Sequence, residues 1–547
     1  MPCHTTPCPG VRAMSAPVPN LLESDPVSFE VIKNALYAIC ADMKSVIMRT
    51  SFSPLLSLSA DLSCALLDIH CNVVAQGVDI PVHLGAAGLS GAAAVKAFPL
   101  DTWHEGDAVL LNDPYEGGTH LPDMSLVTPL FAEGALLGFA ISRLHWPDVG
   151  GIAAGSSSVC DEIIKEGLRV PPVRIVERGH TRNDLLQLIL ANVRIPQDRL
   201  GDFRAAQAGH VRATDRVAEL CARYGAAVVR AVMAQTQIYS ARLVKDRLSK
   251  LADAVVEHEE RLDGDGIDPH CRPLIKATIT KAAGSLHFDF TGSSPCVAGP
   301  INAPYPVTCA AVYYTVLSFL GGDIAPNAGV YADVQITAPA GSIVNASYPA
   351  PVVAANTETS NRLVDILFTA LAKAWPEVVP GGSYGSACVY TLGGIDPRSN
   401  RRFVHYETIG GGGGATAAAP GAHGIRVHMG NTMNLPIENV EAQIPVRFLE
   451  YTILRESGGA GQHAGGCGVR KSFVSLADGV QASVLGERTD TPARGAAGAG
   501  DGACAQFRLI RGEHVVELGA KSGPHRLNAG DLLELNTAGG GGWGAQR

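Results

Sequence analysis

Apolar residues recur at helical spacing in the first part of the chain. Ile32, Leu36, Ile39, Met43, Val46 and Ile47 repeat through Arg49, with Asp25-Pro26 as a cap and first-turn proline ahead of them. The pattern predicts an amphipathic helix packed on a core. Over residues 57–68 the period shortens to that of a strand, and Asp61 stands just before its apolar run. A lone aspartate there reads as a turn or cap residue, or as a group facing a site at the strand's start. His83 then precedes a glycine-containing turn into a helix over residues 86–98. The apolar run 124–141 divides into two strands, 125–131 and 135–143, joined by a turn at Glu133-Gly134.

Residues 183–257 return to helical spacing. Leu185, Leu186, Leu188 and Ile189 begin it, Val217, Leu220, Cys221, Tyr224, Val228, Val232 and Ile238 continue it, and Pro196 interrupts. Two or three long helices, serving packing and subunit contacts, follow from that spacing. After a polar linker near 263–268, LIKATITK and SLHFDFTG read as a hairpin around Ala283-Gly284. A buried helix lies in YPVTCAAVYYTVLSFL, and strands then lead to a helix from about Ser360. From about Val404 strands alternate with glycine runs, among them IGGGGGA and NTAGGGGWG, which read as tight turns and glycine-packed loops. The chain is thus expected to be α/β in several parts. These are a disordered tail over 1–25, a metal-bearing α/β region over 26–182 and a helical section over 183–260. An α/β middle region over 261–403 and a glycine-rich β region over 404–547 complete it.

Composition narrows the function. Hydrophobic residues make up 46% and charged residues 17% of the 547, which supports a sizeable core and argues against disorder. A net charge of −9, no Lys/Arg cluster and only 6% aromatics argue against nucleic-acid binding. The 13 cysteines include no C-x-x-C pair, which favours reduced thiols in the cytoplasm. The first residues lack the apolar core of a signal peptide, and the run 308–320 is too short to span a bilayer. No G-x-x-x-x-G-K-[ST] occurs, so no intrinsic nucleotide site is assigned.

The chemistry concentrates in residues 112–151, NDPYEGGTHLPD and RLHWPDVGG around the apolar hairpin. H-x-P-D occurs twice, as His120 with Asp123 and as His145 with Asp148. Each alone reads as a loop histidine beside a capping aspartate. Two copies at the ends of one hairpin bring imidazole and carboxylate together, a donor set for a divalent metal such as Zn, Mn or Fe.

From about residue 26 to the C-terminus the chain resembles the hydantoinase B/oxoprolinase family. The resemblance is carried by SADLSCALLD, IPVHLG, NDPYEGGTHLPD, RLHWPDVGG, GPINAP, PAPVVAANTETSNR, LPIENVE, ESGGAGQHAGG and GGGGWG, in that order. It implies that Asp61, His120, Asp123 and His145 surround a divalent metal, with His120, Asp123 and His145 also the catalytic positions. Asp148 is then expected to orient an imidazole, and His83 to stand with it behind the ligands. The resemblance further implies that ATP and Mg are bound by a separate subunit of the hydantoinase A type, in an A2B2 hetero-oligomer. That partner would activate a small cyclic amide before it reaches the metal. This sequence departs from the family pattern at Ala464-Gly465-Gly466 and at His423-Gly424.

The reading is therefore the metal-containing B subunit of an ATP-dependent cyclic-amide hydrolase, opening a hydantoin, 5-oxoproline or lactam ring. The alternative is a subunit of an ATP-dependent ketone carboxylase of the acetone type; the length suits the hydantoinase-type subunit better. A purely scaffolding subunit is argued against by the metal constellation.

Overall fold

The computed structural model describes residues 20–546, apart from residues 269 and 322. The expected tail lies outside the described residues up to position 19. From there the chain is already ordered: Leu21–Ser24 form a helical turn and Leu21 is buried. The helix Pro26–Thr50 follows, with the Asp25 carboxylate accepting from the Ser28 amide at 3.1 Å. Its buried face is Phe29, Ile32, Leu36, Ile39, Met43 and Ile47.

That face lies on a seven-stranded antiparallel sheet. Its strands are β1 (Leu62–Asp68), β2 (Val73–Gln76), β3 (Ala108–Leu111), β4 (Asp123–Ala132), β5 (Ala135–His145), β6 (Val173–Glu177) and β7 (His180–Thr181), in the order β2-β1-β5-β4-β3-β6-β7. Leu62, Cys64 and Leu66 of β1 face the helices Pro26–Thr50 and Pro196–Tyr224, whereas Ala65 and Leu67 face the helix Ala86–Ala97. Covering both faces explains why β1 carries a continuous apolar run.

Three helices follow, Asn183–Leu190, Pro196–Tyr224 and Ala226–Ser249. Pro196 opens the second of them, where its missing N–H costs nothing. The expected helical section ends early: β8 (Ala254–Arg261) already precedes the polar linker. Its charged residues lie on the edge of a sheet ordered β11-β10-β9-β8, which sets an edge strand's polar character. The other strands of that sheet are β9 (Leu274–Ala282), β10 (Ser285–Asp289) and β11 (Val334–Thr337). The helices Tyr305–Leu320 and Ser360–Ala372 pack on it.

The last part holds β12 (Val389–Asp396), β13 (Arg401–Thr408), β14 (Val446–Ile453), β15 (Val469–Ser475), β16 (Val480–Leu485), β17 (Gln506–Arg511), β18 (His514–Leu518), β19 (Lys521–Leu527) and β20 (Leu532–Asn536). They form two sheets, β13-β12-β16-β19 and β14-β15-β20-β17-β18.

The glycine runs between these strands are packed on one another as expected, but they are not tight turns. They are extended segments bundled side by side. The amides of Gly539, Gly540, Gly541 and Gly542 donate in turn to Ala503, Gly466, Gly382 and Gly500. A hydrogen-bonding direction that rotates at each residue belongs to an extended helix of about three residues per turn, not to a flat ladder. Only glycine permits this spacing: a Cβ on Gly539 would lie 1.8 Å from the Ser457 carbonyl oxygen. Among the described residues, no helix is long and apolar enough to cross a membrane.

Candidate metal centre

The start of β1, the start of β4 and the end of β5 meet at one point. The turn between β4 and β5 has positive φ at both Glu133 and Gly134 (52° and 75°), the sense that matches strand twist. A bulge between Leu130 and Phe131 then shifts the register, so that Asp123 pairs with His145. On the other side of β5, Leu62 pairs with Leu144, and the His145 amide donates to the Asp61 carbonyl at 3.1 Å. His120 sits in the turn entering β4, where its carbonyl accepts from the Asp123 amide at 3.1 Å. The Trp146 amide donates to the Pro122 carbonyl at 2.8 Å, which ties the two H-x-P-D segments together.

The preceding loop is fixed by Asn112. Its side-chain nitrogen donates to the carbonyls of Leu121 (2.7 Å) and Leu168 (2.9 Å), and its oxygen accepts from the Val170 amide (2.7 Å). Gly118 passes so close to this turn that a Cβ there would lie 2.7 Å from the Asn112 carbonyl oxygen.

His120, Asp123 and His145 each offer one ligand atom within 4.8 Å of the others, and all three are buried. Nε2 of His120 lies 3.1 Å from Oδ1 of Asp123, and Nδ1 of His145 lies 3.4 Å from the same oxygen. Even so, both His120 ring nitrogens, Asp123 Oδ1 and His145 Nε2 make no hydrogen bond. Orphaned buried polar atoms cost roughly 1–3 kcal/mol each. Nitrogen and oxygen donors turned on one point without bonding one another fit a divalent cation between them.

The other Asp123 oxygen is occupied. It accepts from the Thr119 hydroxyl and lies 3.2 Å from Nε2 of His83, whose Nδ1 is 2.6 Å from the Ser63 hydroxyl. Burial opposes charge on Asp123, but the neighbouring imidazoles of His120 and His83 hold its carboxyl well below the usual range. Burial pushes Asp61 up to about 6; His145 opposes that shift and Asp123 adds to it.

The structure thus brings His120, Asp123 and His145 together, with Asp61 Oδ2 3.9 Å from His145 Nδ1 and His83 against Asp123. Asp148 is the exception. It does not orient an imidazole: its carboxylate accepts from the backbone amide and the guanidinium of Arg194, both at 2.7 Å. Arg194 supplies the buried Asp148 carboxylate with a cation from beyond the helix Asn183–Leu190.

A cleft adjoins the cluster, where Asp61 and His145 meet Asn356, Thr357, Tyr406, Thr408, Arg426 and Thr432 among the apolar Ile80, Val82 and Met429. The Tyr406 ring lies 4.3 Å from that of His145, inclined at 38°. Asn356 and Thr357 project from a π-turn, Ala355–Thr359, which continues into the helix Ser360–Ala372. Such turns concentrate at functional sites. These residues escape a sequence reading that looks for metal ligands. The signal available was NTETSN, an unbroken polar stretch amid apolar residues.

The model of the family described as hydantoinase B/oxoprolinase matches residues 25–546. The chain is 34% identical to an uncharacterized protein of Methanocaldococcus jannaschii, over 95% of this chain and 91% of that one. It is 33% identical to 5-oxoprolinase 1 of Arabidopsis thaliana over 95% of its length, and spans only 42% of that relative. Among solved structures, the ATP-dependent caprolactamase from Pseudomonas jessenii superposes with a TM-score of 0.88 at 29% identity, covering 95% of this chain and 91% of that one. Acetone carboxylase in its nucleotide-free form gives 0.87 at 18% identity over 96% and 76%, a likeness of fold alone.

Proposed function

The chain belongs to the hydantoinase B/oxoprolinase family, and from that premise we propose that it is the metal-bearing subunit of an ATP-dependent cyclic-amide hydrolase. The observation that carries the reading is the buried, mutually unbonded set His120, Asp123 and His145. These three would hold one Zn, Mn or Fe ion, with Asp61 as fourth ligand. A divalent ion there supplies a Lewis acid for a carbonyl oxygen and lowers the pKa of a bound water.

The chain's own residues prepare that chemistry. Thr119 and His83 hold one oxygen of Asp123, so the other points inward and stays ionised. The Tyr406 ring packs against that of His145. Asn356 offers a carboxamide whose oxygen has no partner, complementary to a ring amide in the cleft.

Amide resonance makes an unstrained ring a poor electrophile, which gives ATP a purpose; the related caprolactamase is ATP-dependent by name. A separate ATP-binding subunit of the hydantoinase A type fits this chain, because its glycine amides are already engaged. Those of Gly411, Gly412 and Gly413 donate to Ile425, Ala538 and Ala422, which leaves them no phosphate to cradle.

The test is to assay the chain with such a partner and ATP on hydantoin, 5-oxoproline and caprolactam, and on acetone with labelled bicarbonate. Ring opening coupled to ATP hydrolysis is expected. Label retained in an acetone-derived product would replace this reading by a ketone carboxylase. Micromolar binding of Mg-ATP to the chain alone, measured by calorimetry, would overturn the division of labour.

A further inference from the structure

A cavity of about 380 Å³ lies between β2, the helix Ala86–Ala97, the helix Tyr305–Leu320 and residues 326–331. That size takes a small organic molecule. None of its lining residues belongs to the cleft at the metal centre. Gly85 lets the Tyr313 ring close one wall: its φ is 72°, and a Cβ there would lie 2.4 Å from that ring. The ring stacks on Tyr331, with centroids 3.7 Å apart and planes inclined at 10°. No Asp, Glu, Lys or Arg lines the cavity. Cys71 and Cys309 do, and burial pushes both thiols up to about 12, so they stay neutral.

One buried amide on this cavity is left unbonded. Gln76, the last residue of β2, pairs with Ala65 and so shares its face, under the helix Ala86–Ala97. Gln76 is 4% exposed and lines the cavity, and among the described residues nothing bonds its carboxamide. The other two carboxamides there are tied into the fold. Asn72 Nδ2 donates to Asp68 at 3.0 Å, and Asn327 Nδ2 donates to the Ser240 hydroxyl at 2.7 Å. The Tyr331 hydroxyl, on the same cavity, also has no hydrogen-bond partner. A buried amide without a partner costs stability unless a ligand completes it. A carboxamide presents an acceptor and a donor on one edge. Its complement is an N–H beside a C=O, the edge shown by an amide held cis in a small ring.

We propose that this cavity is a second ligand site, separate from the metal centre, that binds an uncharged cyclic amide or imide edge-on to Gln76. Nothing in it uses the metal or ATP, so it stands whether or not the chain opens such rings.

The test is ligand-observed NMR titration of the full chain after chelator treatment, which keeps a bound metal out of the measurement. The probes are hydantoin, 1,3-dimethylhydantoin, which keeps the carbonyls and loses the N–H donors, and hydantoin-5-acetic acid, which adds a carboxylate. Hydantoin should bind at least tenfold tighter than either of the others. Gln76→Leu should weaken hydantoin at least tenfold and leave dimethylhydantoin unchanged. Ala92→Trp, at an exposed position on the cavity wall, should block hydantoin, and it serves as the test should Gln76→Leu fail to fold. The proposal is overturned if hydantoin does not bind, if it binds no tighter than its dimethyl derivative or the acid, or if the cavity variants bind it as the unaltered chain does. Binding retained in Gln76→Leu and lost in Asn356→Ala would place the ligand in the metal cleft, and would overturn it too.

Discussion

Around Arg362 the chain buries a set of charges whose carboxylate oxygens all find donors. Glu487 receives Arg362 and Lys521. Asp365 receives His428 at 2.8 Å, Arg488 at 2.6 Å and the Ser383 amide at 3.1 Å. Asp263 receives the Thr491 hydroxyl at 2.6 Å and the Asp490 amide at 2.9 Å. At the ends of β1, β4 and β5 an equally buried set leaves both His120 nitrogens, Asp123 Oδ1 and His145 Nε2 without partners. Burial of charge is common to the two; in the first only Arg362 Nε and Arg488 Nε lack partners, whereas in the second the orphaned atoms are those of the proposed metal ligands. The first set joins β8, the helix Ser360–Ala372 and the strand ends of the last part into a frame. The second retains unsatisfied bonding capacity that a cation would fill, which is how a binding site differs physically from a buried ion-pair network.

The largest effect should come from breaking the paired set. Glu487→Ala leaves Arg362 and Lys521 buried without their carboxylate and should cost about 3–5 kcal/mol of stability, measured by denaturant unfolding, with metal content unchanged in the folded fraction. A loss under about 1 kcal/mol would mean that the network is not a frame. His120→Ala should behave in the opposite way. Metal affinity should fall by more than the ten- to hundredfold that loss of a supporting residue costs a metal site, while far-UV circular dichroism stays the same. Elemental analysis showing unchanged metal would remove His120 from the site.

How far the sequence foretold this contrast depends on how local each signal is. The β4–β5 hairpin is legible because a long apolar run divides at Glu133-Gly134, but the bulge at Leu130–Phe131 that sets His145 opposite Asp123 has no such local signal. Asp148 was expected behind the ligands because metal-bound imidazoles are usually held by a carboxylate, yet of the two H-x-P-D aspartates only Asp123 stands on a strand beside the cluster. Asp148 meets Arg194, 46 residues further on, and no short pattern announces that contact. Tyr406, Arg426 and Asn356 reach the cleft from parts of the chain more than 200 residues beyond His145, so local spacing cannot assemble them. Glycine content announced close backbone approach, but not the rotating hydrogen bonds that make the runs a bundle instead of turns.

His83 sharpens the comparison because it belongs to both kinds of residue. One ring nitrogen is satisfied by Ser63 and the other faces Asp123. His83→Ala should therefore weaken metal binding by about ten- to hundredfold without abolishing it, the usual cost of losing a group that holds a ligand in place. Titration with a competing chelator measures this. An effect as large as that of His120→Ala would make His83 a ligand in its own right.

The smallest effect at neutral pH concerns another buried imidazole, packed against the same hairpin and fully paired. His210 comes from the helix Pro196–Tyr224, with Nδ1 2.6 Å from the Thr128 hydroxyl and Nε2 2.8 Å from the Ser142 hydroxyl. Burial lowers its pKa from 6.5 to about 3. As pH falls below 6.5 the unfolded chain takes up a proton that the folded chain refuses, so stability falls with pH across the window from 6.5 to 3. The slope approaches 1.4 kcal/mol per pH unit well below 6.5, about 1 kcal/mol in all by pH 5.5. His210→Asn keeps hydrogen-bonding capacity and cannot titrate. Its denaturation midpoint should be less pH-sensitive between 6.5 and 4.5 than that of the unaltered chain, while metal content stays the same. Equal pH slopes in the two proteins would show that burial does not keep His210 neutral in the fold.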